Sequence, residues 1–216
     1  MPPARDRRSD KLMVLEFIRL EDAGSVQQHA PRMAQWVFES GPKFFAALFG
    51  SSERAIENLS AWLQRDTSEF SGLQATLAFD GSEPAGMFIG VPGQEIARRR
   101  RADLLGVIQQ TPADERELLK AKFQSMAELT APVTENDYYI RTLAVDRAHR
   151  GRGFGRRLLE RAIADAQALG CRAVCLDVDA DNDVARGLYG SAGFTSIYEG
   201  KAASLGLHMH SLALTF

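Results

Sequence analysis

The chain has 216 residues, of which 45% are hydrophobic and 25% charged, and its formal net charge is −2. This composition fits one globular domain with a sizeable core, and the small net charge predicts no general attraction to nucleic acid or to an anionic membrane. No apolar run approaches the roughly 20 residues that span a bilayer, and Met1–Lys11 lacks a secretory apolar core, so we expect a cytoplasmic protein. We expect residues 1–11 to form a disordered tail and residues 12–216 a single domain.

Hydrophobic periodicity in the first half of the chain predicts strands and helices. The predicted strands on either side of Asp80–Pro84 should pair as a hairpin, because this segment has turn composition. We expect the aromatic cluster around Phe44 to pack in the core, although it could line a substrate pocket. The predicted elements are a strand at Val14–Leu20, a helix at Val26–Phe38, an apolar cluster at Phe44–Phe49, a helix at Ser52–Gln64, and strands at Leu73–Phe79 and Ala85–Val91.

Two helices are predicted next, at Gln94–Gln110 and from Thr111 to about Leu129. Thr111 precedes a proline, and Asp114 follows three residues later, which is the pattern of a helix N-terminus. The four arginines at Arg98–Arg101 could mark an acidic or nucleic-acid partner. We expect a solvated helix face instead, because the chain as a whole is slightly acidic.

The most informative stretch is a predicted strand at Tyr138–Val145, a glycine-rich turn at Arg150–Gly155 and a helix at Gly153–Leu169, with Gly170 placed to cap the helix. The first N–H groups of a helix lack internal partners and carry partial positive charge, and glycines let the backbone approach an anion closely. The sequence therefore predicts phosphate binding. A Walker P-loop does not fit, because Arg156 and its neighbour follow the turn instead of Lys-Ser/Thr, and a dinucleotide fingerprint would need glycine at Arg156. The predicted apolar face of the helix comprises Phe154, Leu158, Ala162, Ile163, Ala166 and Leu169.

The rest of the chain contains two cysteines, Cys171 and Cys175. Four residues along a strand are about 13 Å, too far for a disulfide, so we expect two reduced thiols in the core. The remaining predicted elements are a strand at Ala173–Val178, a helix beginning near Asn182, and strands at Thr195–Glu199 and Leu207–Phe216.

Two patterns resemble metal sites. The aspartates of Asp177–Asp183 alternate as in a calcium loop, but the turn glycine and the closing glutamate are missing. His208 and His210 lie on one side of a strand and could bind a metal or a substrate, but no third ligand stands at metal-like spacing. We therefore expect ordinary surface residues here and no metal site.

Two further blocks occur in order. The first is Arg150-x-x-Gly153-x-Gly155 after a Leu-x-Val strand end, and the second is Asn182-x-x-Ala-x-x-Leu-Tyr189-x-x-x-Gly-Phe. Both resemble motifs of the GCN5-related N-acetyltransferases (GNAT). The resemblance implies an α/β (α+β) fold with a mostly antiparallel central sheet flanked by helices, in which the strands at 138–145 and 173–178 are parallel. It also implies acetyl-CoA as the cosubstrate, bound by a core at about 138–199. By comparison with the family's minimal core, residues 94–130 form a helical insertion, which we expect to carry substrate specificity.

The resemblance further implies roles for individual residues. The Val145 backbone N–H would face the thioester carbonyl, and Tyr189 would be the general acid; alternatively, Tyr189 only packs behind Phe194. Asn182 would contact the coenzyme, cap its helix, or do both. The residues implied in coenzyme binding are Leu143, Ala144, Val145, Arg150, Gly151, Arg152, Gly153, Phe154, Gly155, Arg156, Asn182 and Tyr189.

The general base is not evident from the sequence. Some relatives place a glutamate four residues before the position of Leu143, where this chain has Tyr139. Glu135 and Asp137 lie just upstream and could deprotonate an amine directly or through water. They could equally be solvated loop acids, and a water chain ending in bulk solvent could then take the proton.

These features predict transfer of an acetyl group from acetyl-CoA to a primary amine by direct attack in a ternary complex. The alternatives are an N-acyltransferase that uses another acyl-CoA and a non-catalytic module that senses acetyl-CoA. We expect an amine acceptor, on a small molecule or a protein, and neither nucleic acid nor membrane as a partner. The last strand offers an edge through which a homodimer could form.

Overall fold

The computed structural model describes residues 15–216, so the predicted tail at Met1–Lys11 lies outside the described residues. The described residues form one mixed sheet with helices on both of its faces. The strands are β1 (Leu15–Arg19), β2 (Ala75–Asp80), β3 (Glu83–Pro92), β4 (Asp137–Val145), β5 (Ala173–Asp179), β6 (Thr195–Ala202) and β7 (Leu207–Thr215). The helices are α1 (Ala23–Ser40), α2 (Pro42–Phe49), α3 (Ser52–Leu63), α4 (Gly93–Gln110), α5 (Arg116–Met126), α6 (Phe154–Ala168) and α7 (Asp183–Ser191).

The sheet has the strand order β1-β2-β3-β4-β5-β7-β6. Every neighbouring pair is antiparallel except β4 and β5, which are parallel and are connected through α6. This is the predicted arrangement, because two parallel neighbours need a crossover between them, and a helix usually supplies it. The prediction of a mostly antiparallel mixed sheet flanked by helices is confirmed.

The strands β4 and β5 pair only at their first residues. Their parallel register runs from Asp137 opposite Ala173 to Ile140 opposite Leu176 and then stops. Beyond that point β4 stays paired with β3 as far as Val145, while β5 stays paired with β7. The two central strands therefore separate in the middle of the sheet, and their facing backbone groups are not used by each other.

Each face of the sheet carries its own hydrophobic core. One core contains Trp36, Trp62 and Phe70, and the other contains Phe154 and Leu158 of α6. The predicted aromatic cluster is part of α2: Phe45 and Leu48 are buried, as expected for core residues, whereas Phe44 is only half-buried. The prediction that Leu169 belongs to the apolar face of α6 is wrong, because it follows the last helical turn and is 59% exposed.

The segment at residues 94–130, predicted as a helical insertion, differs from the prediction in its second helix. A 3-10 turn occupies Ala113–Glu115, and α5 itself extends only from Arg116 to Met126. The chain leaves the helix before Leu129, which is 1% exposed and packs with Ala202 and Leu207 of the β6–β7 ribbon. The free energy gained by burying Leu129 outweighs what a longer helix would contribute.

The expectation of a solvated arginine face at Arg98–Arg101 is wrong for Arg99. Its side chain is buried and donates hydrogen bonds to the carbonyl oxygens of Asp66 and Ser68. The same guanidinium pairs with Glu95 one turn earlier. Charge composition could not reveal this, because the acceptors are main-chain atoms of a distant loop.

Cys171 and Cys175 are free thiols, as predicted, but both are half-buried instead of fully enclosed in the core. Among residues 15–216, no helix combines the length and the hydropathy that crossing a membrane requires.

Candidate active site

A cavity of about 1030 Å³ lies where β4 and β5 separate. Residues 141–145 of β4 line one side of it, and Asp177 and Val178 of β5 line another. Its other walls include the loop before α6 together with α7, the end of α1, and the helices α2, α4 and α5. The cavity therefore joins the predicted coenzyme region to the helices α4 and α5.

The loop before α6 depends on glycine at two positions. Gly151 and Gly153 have φ values of +74° and +82°, a region in which residues with a Cβ are strained. The helix begins at Phe154 without a side-chain cap. The N–H groups of its first turn are thus left for an external acceptor, which is the local structure that an anion requires.

The arginines of this loop are held by carboxylates. Arg150 donates to the carbonyl oxygen of Val145 at 3.0 Å and pairs with Glu39 at 2.8 Å. Arg152 pairs with Asp80 at 2.9 Å. Glu39 lines the cavity and was not identified from the sequence, since it belongs to α1, more than 100 residues earlier in the chain.

Most of the predicted coenzyme residues line this one cavity. The exception is Arg152, which is not part of the lining. Those that line it are Leu143, Ala144, Val145, Arg150, Gly151, Gly153, Phe154, Gly155, Arg156, Asn182 and Tyr189.

Tyr189 and Asn182 both line the cavity, and each also makes the structural contact that the sequence offered as its alternative role. Tyr189 lines the cavity and also packs against Phe194, with ring centroids 5.8 Å apart. Burial raises the pKa of Tyr189 to about 12, so its hydroxyl carries a proton at neutral pH. Asn182 accepts a hydrogen bond from the Ala185 N–H at 3.1 Å, as a helix N-cap does, and it also lines the cavity.

A half-buried carboxylate, Asp177, stands next to Tyr139, the position where the family resemblance implies a glutamate in some relatives. The Tyr139 hydroxyl donates to Asp177 Oδ2 at 2.7 Å, and the Ser211 hydroxyl donates to Asp177 Oδ1 at 2.5 Å. Burial raises the pKa of Asp177, opposed by these two hydrogen bonds. Tyr139 and Asp177 both line the cavity, so β5 supplies a carboxylate where β4 lacks one.

Glu69 connects two further cations in the cavity wall. Its carboxylate accepts from Arg100 at 2.9 Å and lies 3.4 Å from Arg141 Nε. The Arg141 guanidinium lies 4.1 Å from the centre of the Phe70 ring. Arg141 occupies the register shift between β3 and β4, which directs it away from the regular ladder. The arginine run was the only sequence signal for this cluster.

The proposed bases from the sequence lie elsewhere. Glu135 is exposed, and Asp137 accepts a hydrogen bond from the Thr134 N–H at 2.6 Å. Neither residue lines the cavity. Asp137 begins β4 and Val145 ends it, so roughly 26 Å of extended strand separates them.

An apolar wall completes the cavity on the side of the insertion. It is made by α4, α5 and α2, and the side chains that form it are Leu104, Val107, Phe123, Met126 and Phe44. The helices predicted to carry specificity thus contribute hydrophobic surface to the same cavity as the glycine loop.

The parallel strand pair beside the glycine-rich loop is the arrangement that the resemblance to the acetyltransferases implies. The model of the acetyltransferase (GNAT) family matches residues 33–194, and the chain belongs to this family. The N-alpha-acetyltransferase RimI of Mycobacterium tuberculosis is 43% identical over 61 residues, which are 28% of this chain and 37% of that protein. N-alpha-acetyltransferase 40 of Saccharomyces cerevisiae is 40% identical over 77 residues, which are 32% of this chain and 26% of that protein.

Solved structures support the fold over almost the whole chain. An N-acetyltransferase from Staphylococcus aureus Mu50 superimposes with a TM-score of 0.68 at 17% sequence identity, covering 92% of this chain and 100% of that chain. At this identity the likeness concerns the fold. The chain spans less than two fifths of the length of the two curated relatives above, so their shared segment concerns only part of each protein.

Proposed function

We propose that the protein transfers an acetyl group from acetyl-CoA to a primary amine by direct attack in a ternary complex. The observation that carries this proposal is a single cavity lined by the glycine loop, by the separated ends of β4 and β5, and by Tyr189. Acetyl-CoA is the cosubstrate of the GNAT family to which the chain belongs.

The coenzyme would bind along two elements that present unused backbone groups. Its pyrophosphate would accept hydrogen bonds from the first turn of α6, with Gly151 and Gly153 allowing the close approach. Its pantetheine arm would extend along residues 143–145, which have no partner in β5. Glu39 would keep the Arg150 side chain beside the loop.

Acetyl transfer requires that the ammonium form of the acceptor loses protons, that the oxyanion is stabilised and that the departing thiolate gains a proton. We propose that Asp177 accepts the proton of the ammonium form of the acceptor, directly or through water, with Tyr139 positioning its carboxylate. The amine nitrogen then forms a bond to the acetyl carbon, and the Val145 N–H stabilises the oxyanion. Collapse breaks the carbon–sulfur bond, and Tyr189 donates its proton to the departing thiolate. The second proton that the nitrogen loses on becoming the amide returns through water to the Tyr189 oxygen.

We expect Tyr189→Phe to lower kcat by about 100-fold, because general acid help is typically worth 10²- to 10⁴-fold. The affinity for acetyl-CoA should change less than threefold, by about 0.6 kcal/mol at most, since the ring and its packing on Phe194 remain. The matched control is Tyr198→Phe, which removes a hydroxyl outside the cavity that donates to the Glu128 carbonyl. Equal turnover in both variants would reduce Tyr189 to a packing residue.

The apolar wall favours a primary amine that carries a hydrophobic body. Phe123 and Met126 of α5 would contact that body, while the buried charges around Glu69 would face its polar end. We expect Phe123→Ala to raise KM about tenfold for amines with an apolar chain, since about 1.4 kcal/mol of apolar contact is lost. Leu118→Ala changes the same helix at a position that is 63% exposed and should leave KM unaltered. Equal KM values for apolar and polar amines would contradict this assignment.

The function itself is tested by free-thiol release from acetyl-CoA across a panel of small amines and peptides, together with calorimetric titration of the coenzyme. Thiol release that depends on one class of amine would support the transferase. Coenzyme binding without release across the panel would instead favour the non-catalytic sensor, and faster release from a longer acyl-CoA would indicate a different donor.

A further inference from the structure

Three potential metal ligands converge on the β6–β7 ribbon. One ligand atom from each of Glu199, His208 and His210 lies within 4.8 Å of the other two. Glu199 of β6 stands directly opposite His210 of β7, and His208 lies two residues along the same strand face. The distance from His208 Nε2 to Glu199 Oε1 is 2.7 Å. Glu199 could not be identified as the third ligand from the sequence, because it belongs to the neighbouring strand.

We propose that Glu199, His208 and His210 bind one divalent transition-metal ion of the zinc type. Two imidazoles and one carboxylate are ligands that zinc accepts at about 2.0–2.2 Å. A tetrahedral ion at these bond lengths holds its ligand atoms roughly 3.4 Å apart. The His208 and Glu199 atoms lie 2.7 Å apart and all three ligand atoms lie within 4.8 Å of one another, so rotation about the χ angles would bring them to that spacing. Three protein ligands leave the remaining position to water or to another small ligand.

The immediate surroundings contain one competitor for the ion. Lys201 Nζ lies 3.1 Å from the same Glu199 oxygen that His208 contacts. The alternative to a metal is therefore a hydrogen-bonded surface group in which Lys201 neutralises the carboxylate. The two descriptions predict different results when Lys201 loses its charge. A hydrogen-bonded surface group would become weaker, whereas the affinity of the site for a cation would increase.

The location indicates that the ion would hold the sheet together and take no part in acetyl transfer. Met209, between the two histidines, lines the cavity, so the histidines point to the opposite face of β7. β6 is the last strand of the sheet, and its pairing with β7 shifts register between Ser196 and Tyr198. An ion that joins Glu199 to two β7 histidines would fasten this edge strand. The inference does not rest on the proposed transferase activity.

The test is titration of the full chain with Zn²⁺ by calorimetry, with thermal unfolding measured at each metal concentration. We expect one saturable site and a Tm that rises with zinc, since binding to the native state stabilises it. His210→Gln and Glu199→Gln should each weaken zinc binding at least tenfold and remove the Tm rise, whereas Lys201→Met should strengthen binding severalfold. His29→Gln, which alters a histidine that packs on Phe79 away from the ribbon, should change neither quantity.

Three outcomes would overturn the proposal. The first is the absence of saturable zinc binding by the wild-type chain. The second is binding whose affinity is the same in the His210→Gln and His29→Gln variants, because such binding would come from other residues. If Lys201→Met leaves the affinity unchanged, the ion is not bound by Glu199 and the three-ligand assignment fails.

Discussion

A Gly153→Glu variant is expected to lose at least 100-fold in affinity for acetyl-CoA. Gly153 precedes the first residue of α6 with φ +82°, so any side chain strains the loop that presents the helix N–H groups. A glutamate also places a negative charge beside the site proposed for the pyrophosphate. Loss of 2.8 kcal/mol corresponds to about 100-fold, and charge repulsion together with a displaced backbone readily supplies it. Calorimetric titration of the coenzyme measures the effect directly.

The control for this variant is Gly170→Glu at the other end of the same helix. Gly170 also has a positive φ, +72°, and the space around its missing Cβ is likewise open. Both variants should therefore lower the free energy of unfolding by a similar amount, about 1–2 kcal/mol. Only the Gly153 variant should lose coenzyme affinity. Equal affinities in the two variants would contradict the assignment of the phosphate loop.

The order of strands and helices followed from the sequence, because it depends on local properties. The periodicity of residues 154–168 and the glycines before them specify a helix and its entry turn without reference to the rest of the chain. Most of the residues that the two family-like blocks implied in coenzyme binding lie in the wall of one cavity. Errors occurred at helix ends, as with Leu129, where burial against the β6–β7 ribbon outweighs helix propensity.

The acceptor side could not be predicted in the same way, because its residues meet only through tertiary structure. Asp177 and Tyr139 are 38 positions apart in the chain and come into contact only because their strands are parallel neighbours. Glu69 reaches Arg100 and Arg141 from a loop between two other elements. In each case the sequence showed a charged residue with an unremarkable local pattern. Its partner, and hence its chemical environment, is set by sheet register and helix packing.

An Asp177→Asn variant is expected to lower kcat/KM by about 1000-fold at neutral pH, within the usual range for a general base. The substitution keeps the shape of the side chain next to Tyr139 and Ser211 but removes the ability to accept a proton. Coenzyme affinity should be unchanged. Asp179→Asn is the matched control: it lies two residues further along the same strand face, burial also raises its pKa, and it does not line the cavity.

The pH dependence separates a base from a residue that only packs. The wild-type kcat/KM should rise with pH as Asp177 ionises, with a midpoint above 3.8, because burial raises its pKa in the folded state. The Asn variant should lack this rise. A raised carboxyl pKa also means that ionisation of Asp177 destabilises the fold as pH increases. Above pH 3.8 the free energy of unfolding of the wild type should therefore fall relative to that of the Asn variant. An ascending limb that persists in the Asn variant would assign the proton transfer to another group.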